Sequence, residues 1–386
     1  MQEGAAKGAL SLHRGLLEQG VDSSLACFGA SNVQVSSIQD MDSALARVGR
    51  RANSLFDRLA IRRRVVAESD GFHAGAEWLN LFGSIRWDAY DIVHLHWVNG
   101  ALGLRHIEHL KRATKVVWTI RDMWPFTGGC HYSLGCRGFE SGCGSCPQLA
   151  SADSRDASMR AFRRKVSALA GVSFVAISDW LKDEALKSEI VSVDAIRRIY
   201  NSVDLSTFAP SGEPVAELRK RFGIPAGKRI CLLGAQNVSH RYKGPEIARR
   251  LIMKNRDCWH FVVFGRGADS LFGGLEGASY TDFGFVDGQA LRSLYELADV
   301  FAMPSVQEAF GKTVVEALAC GTPVCVQPGS APEEIVRRVM DQVHYCDRDD
   351  LRACADESPD RARVEQLFGE ARIAREYLDL YSTALE

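Results

Sequence analysis

Glu308 and Glu316 stand eight positions apart in the segment "SVQEAFGKTVVEALACGTPV", which runs from Ser305 to Val324. The apolar run "ADVFAMP" before it reads as a buried strand ending in a turn. Ala317 to Cys320 finish a helix-forming stretch that Gly321 stops, with Pro323 just beyond. Phe310, Gly311 and Lys312 therefore fall at a helix N-terminus, where free backbone N–H groups attract phosphate. Glu308 lies in the loop beside that anion site, and Glu316 about a turn inside the helix. An anion cradle flanked by two carboxylates suits a ligand with both phosphate and sugar hydroxyls. The plain alternative is a strand, turn and helix whose glutamates are solvated.

Other polar groups fall at strand ends. "GAQNVSHRYKG" follows a strand and sets Arg241 and Lys243 ahead of Gly244, two cations able to grip a diphosphate. A charged turn is the competing account. "VVFGRG" is a strand running into a glycine turn at Gly265 and Gly267. "VHLHWVNG" ends a strand with His94, His96, Trp97 and Asn99, a polar and aromatic cluster suited to sugar contacts. Arg121 cannot act as a base and offers only charge and hydrogen bonds; Asp122 beside it is a candidate for orienting an acceptor. Cys130, Cys136, Cys143 and Cys146 occupy one glycine-rich loop ending in C-x2-C. Four thiolates there would make a closed, structural zinc site with no open catalytic position, and His131 is a spare ligand. Free thiols and disulfides are the alternatives.

The elements that must position these groups alternate in type. "SLACFGA", "DIVHLHWV", "KVVWTI", "VSFVAIS", "RICLLGA", "HFVVFG" and "DVFAMPS" read as parallel strands buried on both faces. The helical patterns between them imply doubly wound α/β sheets. Turn residues cluster in "YNSVDLSTFAPSGEP" and mark a boundary. The expected organisation is a first α/β domain over residues 1–205, a second over 206–365, and a terminal helical segment over 366–386. No strand precedes the helical "EGAAKGALSLHRGL", so a first strand is expected to be missing, leaving a hydrophobic slot unpaired.

Hydrophobic residues make up 46% of the 386 and charged residues 25%, with a net charge of -1. That composition is ordinary for a globular protein and gives no electrostatic case for nucleic acid. No apolar run approaches the ~20 residues needed to cross a bilayer. Eleven cysteines without a signal-peptide core suit a reducing cytoplasm. From Ala46 to Glu68, arginines 47, 50, 51, 58, 62, 63 and 64 interleave with Val48, Leu55, Phe56, Leu59 and Ile61. Such a basic amphipathic stretch can lie peripherally on an anionic membrane surface, or can be a solvated helix face.

The segment carrying Glu308, Phe310, Gly311, Glu316 and "ACGTPV" resembles the E-x7-E signature of the family-4 retaining glycosyltransferases. The resemblance implies the GT-B architecture: two Rossmann-like parallel-sheet domains facing across a cleft, with the terminal helix crossing back to the first domain. It implies a nucleotide-diphosphate sugar as donor, Glu308 facing the donor sugar, and Glu316 on the ribose hydroxyls. Lys243-Gly244 matches the family's basic site, and "GFVDGQALRSLYELADVF" the segment beside the base. "WTIRDMWPFTGGCHY" is similar to a segment of bacterial polysaccharide glycosyltransferases, which usually carry His-Asp where this chain has Arg121-Asp122. The implied acceptor is a saccharide or a polyprenyl-linked saccharide, in surface polysaccharide biosynthesis. Because no nucleophile is placed by sequence, front-face transfer without a covalent intermediate or catalytic metal is expected. A non-catalytic GT-B partner of a polysaccharide assembly complex is the alternative.

Overall fold

The computed structural model of the chain describes residues 4–29, 37–61, 71–286, 288–348 and 350–385. Glu3 and the three arginines 62–64 of the basic stretch lie outside the described residues. The chain divides into two compact units, Met1–Ser202 with Glu370–Glu386, and Val203–Gly369.

In the first unit, β1 (Leu25–Cys27) and β2 (Ile38–Asp40) form a small parallel sheet. β3 (Ile92–Leu95), β4 (Lys115–Ile120), β5 (Ser173–Ala176) and β6 (Ile196–Arg198) form a second parallel sheet in that order. Every residue of β4 after Lys115 is buried, as expected of a strand covered on both faces. Among the described residues β1 and β3 each have a strand partner on one side only, and both line a cavity of about 660 Å³ within this unit. Helix Gly4–Glu18 packs on the C-terminal helix Glu370–Leu385, at a close approach where a Cβ on Gly15 would lie 2.9 Å from that of Ala374.

Polar ties fix the C-terminal helix to the second of these sheets. His94 on β3 reaches Tyr381 Oη through Nδ1 at 2.6 Å and Thr119 Oγ1 through Nε2 at 2.8 Å. Thr119 on β4 in turn meets Tyr377 Oη at 2.8 Å. With both ring nitrogens engaged, His94 is a structural tie rather than the sugar contact suggested by its place at a strand end.

In the second unit, β7 (Arg229–Asn237), β8 (Trp259–Arg266), β9 (Ser279–Asp282), β10 (Val300–Ala302), β11 (Val324–Val326) and β12 (His344–Tyr345) build one parallel sheet. Its order is β12-β11-β10-β7-β8-β9. The chain winds from β7 out to β9, then returns to the far side of β7 and winds outward again. β7 and β10 are therefore neighbours whose following connections leave in opposite directions. Ligands of open parallel sheets bind at such a switch point, beyond the carboxyl ends of the strands.

His94 yields a prediction about acid stability. Burial, and then the charge of Arg121, lower its pKa from 6.5 to about 3. The unfolded chain therefore binds a proton that the folded chain refuses, and the stability difference shrinks as pH falls from 6.5 towards 3, by up to ~1.4 kcal/mol per unit. His94→Gln should flatten the fall in unfolding temperature across that window relative to wild type, measured by circular dichroism. An unchanged slope would show that His94 does not titrate this way.

Candidate functional site

The loops after β7 and β10 meet at the switch point. The backbone N–H groups of Val306 and Gln307 donate to Tyr242 O at 2.8 and 3.3 Å, zipping the two loops together. Across the seam, Lys243 Nζ forms an ion pair with Glu308 Oε2, and their side chains are only 15% and 13% exposed. So little solvent makes this pair stronger than a surface salt bridge and costly to break by removing one partner. The turn Arg241–Lys243 ends on Gly244 in the left-handed region, with φ 68°. Any Cβ there would stand 2.0 Å from Pro304 O, so the close approach of the two loops requires glycine. Arg241 is exposed at the start of the same turn.

Gly311, at φ 84°, caps helix Lys312–Ala319, and no side chain occupies the cap. Its first N–H groups therefore supply the positive end that the sequence suggested. Phe310 beneath it is buried edge-on against Phe368, ring centres 5.9 Å apart. Glu316, 7% exposed, accepts a hydrogen bond from Tyr295 Oη at 3.3 Å. Burial, and then the neighbouring Glu316, push the Tyr295 phenol well above its ordinary pKa. Tyr295 thus stays a donor that aims the carboxylate.

Two further residues join this cluster. Gln327 follows β11, and Ser330 caps helix Ala331–Val339, whose first N–H, on Ala331, donates to Glu308 O at 3.3 Å. Gln327 Nε2 and Ser330 Oγ are buried and find no hydrogen-bond partner among the described residues. Buried donors without partners mark where a polar ligand can bind. Sequence reasoning passed over both, because neither sits in a motif; the strand-to-helix turn "VQPGSAPEE" was the available signal.

Gly265 has a structural explanation. At φ 98°, a Cβ would stand 1.6 Å from Ala235 O on the adjacent β7. The residue lets β8 pass close to β7.

In the first unit, three strand ends converge on Arg121. Its Nη1 donates to Asn201 Oδ1 at 2.7 Å, and its Nη2 lies 3.2 Å from His96 Nδ1. Nε is buried without a partner among the described residues. Burial lowers the guanidinium pKa, yet an arginine stays charged at any physiological pH. Asp122 is buried with both oxygens engaged, by Trp124 N–H at 2.9 Å and His131 Nδ1 at 2.7 Å. His131 Nε2 lies 2.8 Å from His73 Nδ1, and Trp97 stacks on the His131 ring at 4.8 Å, 14° from parallel. Lys165 closes the turn from beneath, donating to Thr127 O at 3.0 Å and lying over the Trp124 ring. His131 therefore has no nitrogen to spare, and the idea that it is an extra metal ligand is corrected.

Cys130, Cys136, Cys143 and Cys146 all line one small cavity. Among the described residues, however, no three His, Cys, Asp or Glu side chains are arranged to hold a metal ion. Burial, and the neighbouring cysteines, push the Cys130 and Cys143 thiols up to about 12. The zinc expectation is not supported, and none of the four is in a disulfide.

Two family models match the chain: glycosyltransferase family 4 over residues 3–207, and glycosyl transferases group 1 over residues 227–358. The chain belongs to the family-4 glycosyltransferases. It is 25% identical over 263 residues to a putative colanic acid biosynthesis glycosyl transferase of Escherichia coli K12, covering 64% of this chain and 61% of that one. It is 28% identical over 258 residues to a D-inositol 3-phosphate glycosyltransferase of Saccharomonospora viridis, covering 61% and 53%. The matches thus span roughly half to three fifths of these relatives' lengths. Among solved structures, Anabaena HepE in complex with UDP and glucose superposes with TM-score 0.67 at 15% identity, covering 99% of this chain and 97% of that one. A Rickettsia africae glycosyltransferase gives 0.64 at 15%, covering 100% and 96%. The shared fold is GT-B, with two Rossmann-like parallel-sheet units.

The glycine at β8 gives a direct test. Gly265→Ala meets both an unfavourable φ and a backbone oxygen, whereas Gly274→Ala, at φ 73°, meets no atom within 4 Å. The first should lose about 2–4 kcal/mol of unfolding free energy and the second about 1 kcal/mol, read by urea denaturation. Equal losses would mean that the collision with Ala235 is relieved without cost.

Proposed function

We propose that this protein transfers a sugar, with retention of anomeric configuration, from a nucleotide-diphosphate sugar to a saccharide or lipid-linked saccharide acceptor. The observation that carries the proposal is the Lys243–Glu308 pair at the switch point, beside the open N-terminus at Gly311 and the unpartnered Gln327 and Ser330. Lys243 and the Gly311 N-terminus would hold the diphosphate, with Arg241 at the rim and Lys312 adding charge. Glu316 would take the ribose hydroxyls and Glu308 the donor sugar.

The ion pair suggests how the site responds to donor. A diphosphate competes with Glu308 for Lys243, and a carboxylate released from the pair is free to accept hydrogen bonds from sugar hydroxyls. As the glycosidic bond breaks, charge grows on the leaving diphosphate. A preorganised lysine and helix N-terminus stabilise that charge without reorganising. With no side chain assigned as nucleophile, the acceptor hydroxyl would attack the same face that the diphosphate leaves. The named relatives support glycosyl transfer, the colanic acid protein supports a place in surface polysaccharide synthesis, and HepE with UDP and glucose supports a uridine donor.

Arg121 favours a second reading. The resemblance of "WTIRDMWPFTGGCHY" to polysaccharide glycosyltransferases implies a histidine at its position, and it is enclosed by Asn201 and His96. A chain that binds nucleotide and no longer transfers sugar would serve as a partner in an assembly complex.

Thermal shift with UDP, GDP and ADP, followed by hydrolysis of the matching nucleotide sugars, separates the two. Binding stabilises by mass action, and Lys243→Ala should weaken the diphosphate by roughly 10- to 100-fold. Glu308→Ala should reduce hydrolysis by roughly 100-fold or more. Nucleotide binding without hydrolysis supports the partner reading, and no binding of any nucleotide sinks both.

A further inference from the structure

The helix Ala44–Ile61 is packed inside out. Its buried residues are Gly49, Asn53, Asp57 and Ile61, one stripe at four-residue spacing, and two of the four are polar. Asn53 Oδ1 accepts from the N–H groups of Trp78 and Leu79 at 3.1 and 2.8 Å, and its Nδ2 donates to Leu79 O and Gly100 O at 2.9 and 3.2 Å. Asp57 accepts from the N–H groups of Ala74 and Ala76, at 2.9 and 3.2 Å. The helix is thus held by side-chain bonds to loop backbone, and rotating it about its axis would leave these buried groups unpaired.

The apolar residues face the other way. Leu45 is 84% exposed, Val48 63%, Leu55 57%, Leu59 60% and Phe56 39%. At ~100° per residue these five fall within one arc about 100° wide. Arg51, Arg58 and Arg47 follow along one edge of that arc, all exposed. At the other edge, beside the buried stripe, stand exposed Trp78 and Leu79, held by Asn53. Arg47 meets Asp42 at 3.6 Å in a surface pair worth little.

We propose that this face docks on an anionic lipid bilayer, with the helix in the plane of the surface. The apolar arc would enter the acyl boundary, the arginines would meet lipid phosphates, and Trp78 would anchor at the interface. Charge favours this occupant over a second copy of the chain, because an antiparallel twofold contact through the arc would bring one arginine edge against the other, while lipid phosphates complement it. No described helix is long and apolar enough to cross a membrane, which fits a helix lying on the surface. The inference does not depend on which sugar is moved or whether any is.

Flotation with vesicles of phosphatidylcholine, with and without phosphatidylglycerol, tests it. Wild type should float with the anionic vesicles and release at high salt. Leu55→Ser combined with Leu59→Ser should lower vesicle affinity by roughly tenfold or more. Arg47→Glu with Arg51→Glu and Arg58→Glu should remove the preference for phosphatidylglycerol, at roughly fivefold per arginine. Both variants alter exposed positions, so each should keep the wild-type unfolding temperature and nucleotide-induced thermal shift. The proposal is overturned if wild type does not float, or if the paired serine variant floats equally well. A dimer in light scattering that the serine variant dissociates, without vesicle binding, overturns it in favour of a second copy.

Discussion

The parallel pairing of β7 with β10 is the constraint on which the second unit's site depends. Cys231, Leu232 and Leu233 stand opposite Val300, Phe301 and Ala302, all buried and all apolar. Their burial fixes the register through packing, since a one-residue slip would send each side chain to the opposite face, where the space does not match it. Once β7 and β10 are neighbours, the loops that follow them must meet. A lysine and a glutamate carried on those loops cannot both be desolvated and unpaired, so they find each other. The ion pair is a consequence of sheet order, and the helix N-terminus at Gly311 is aimed by the same arrangement.

The first unit treats its polar groups differently. Around Arg121, Asp122, His131, His73 and His94 most donors and acceptors are used internally, and the network ties strand ends, the "WPFT" turn and the C-terminal helix into one piece. Such a network rigidifies, and each member is costly to remove because its partner is left buried. What it presents outward is an aromatic surface: Trp97, 45% exposed, stacked on a histidine that Asp122 holds in place. The helix Ala44–Ile61 extends the same logic, with polar residues committed inward and an apolar face turned to the outside.

Much of the framework was legible in the sequence. All seven apolar runs contain strands, and five are covered on both faces as their continuous apolar segments suggested, whereas β1 and β3 are only partly buried. Helix Lys312–Ala319, its glycine cap and the loop position of Glu308 follow from local chemistry alone. The strands β2, β6, β9 and β12 carried no such signal, being short and partly exposed. Composition placed arginines and leucines together after Ala46 but could not say which side of the helix would be buried. Periodicity describes two faces, and the default assigns the apolar one to the core.

By itself, then, the sequence determined what is local: strand and helix types, the glycine-capped helix beside the two glutamates, the basic turn before Gly244, and membership in a family whose signature is contiguous. The tertiary structure decided what is relational. It paired Lys243 with Glu308 across residues far apart in the chain, brought Gln327 and Ser330 to the same strand ends, and spent His94 and His131 on internal bonds. It set Gly265 against β7, where any side chain would collide, and gathered the four cysteines around one small cavity without disulfides. The physical reason is the same in each case. Whether a polar side chain is available depends on which backbone and side-chain partners folding brings within hydrogen-bond reach, and that is a property of sheet order and burial rather than of neighbours along the chain.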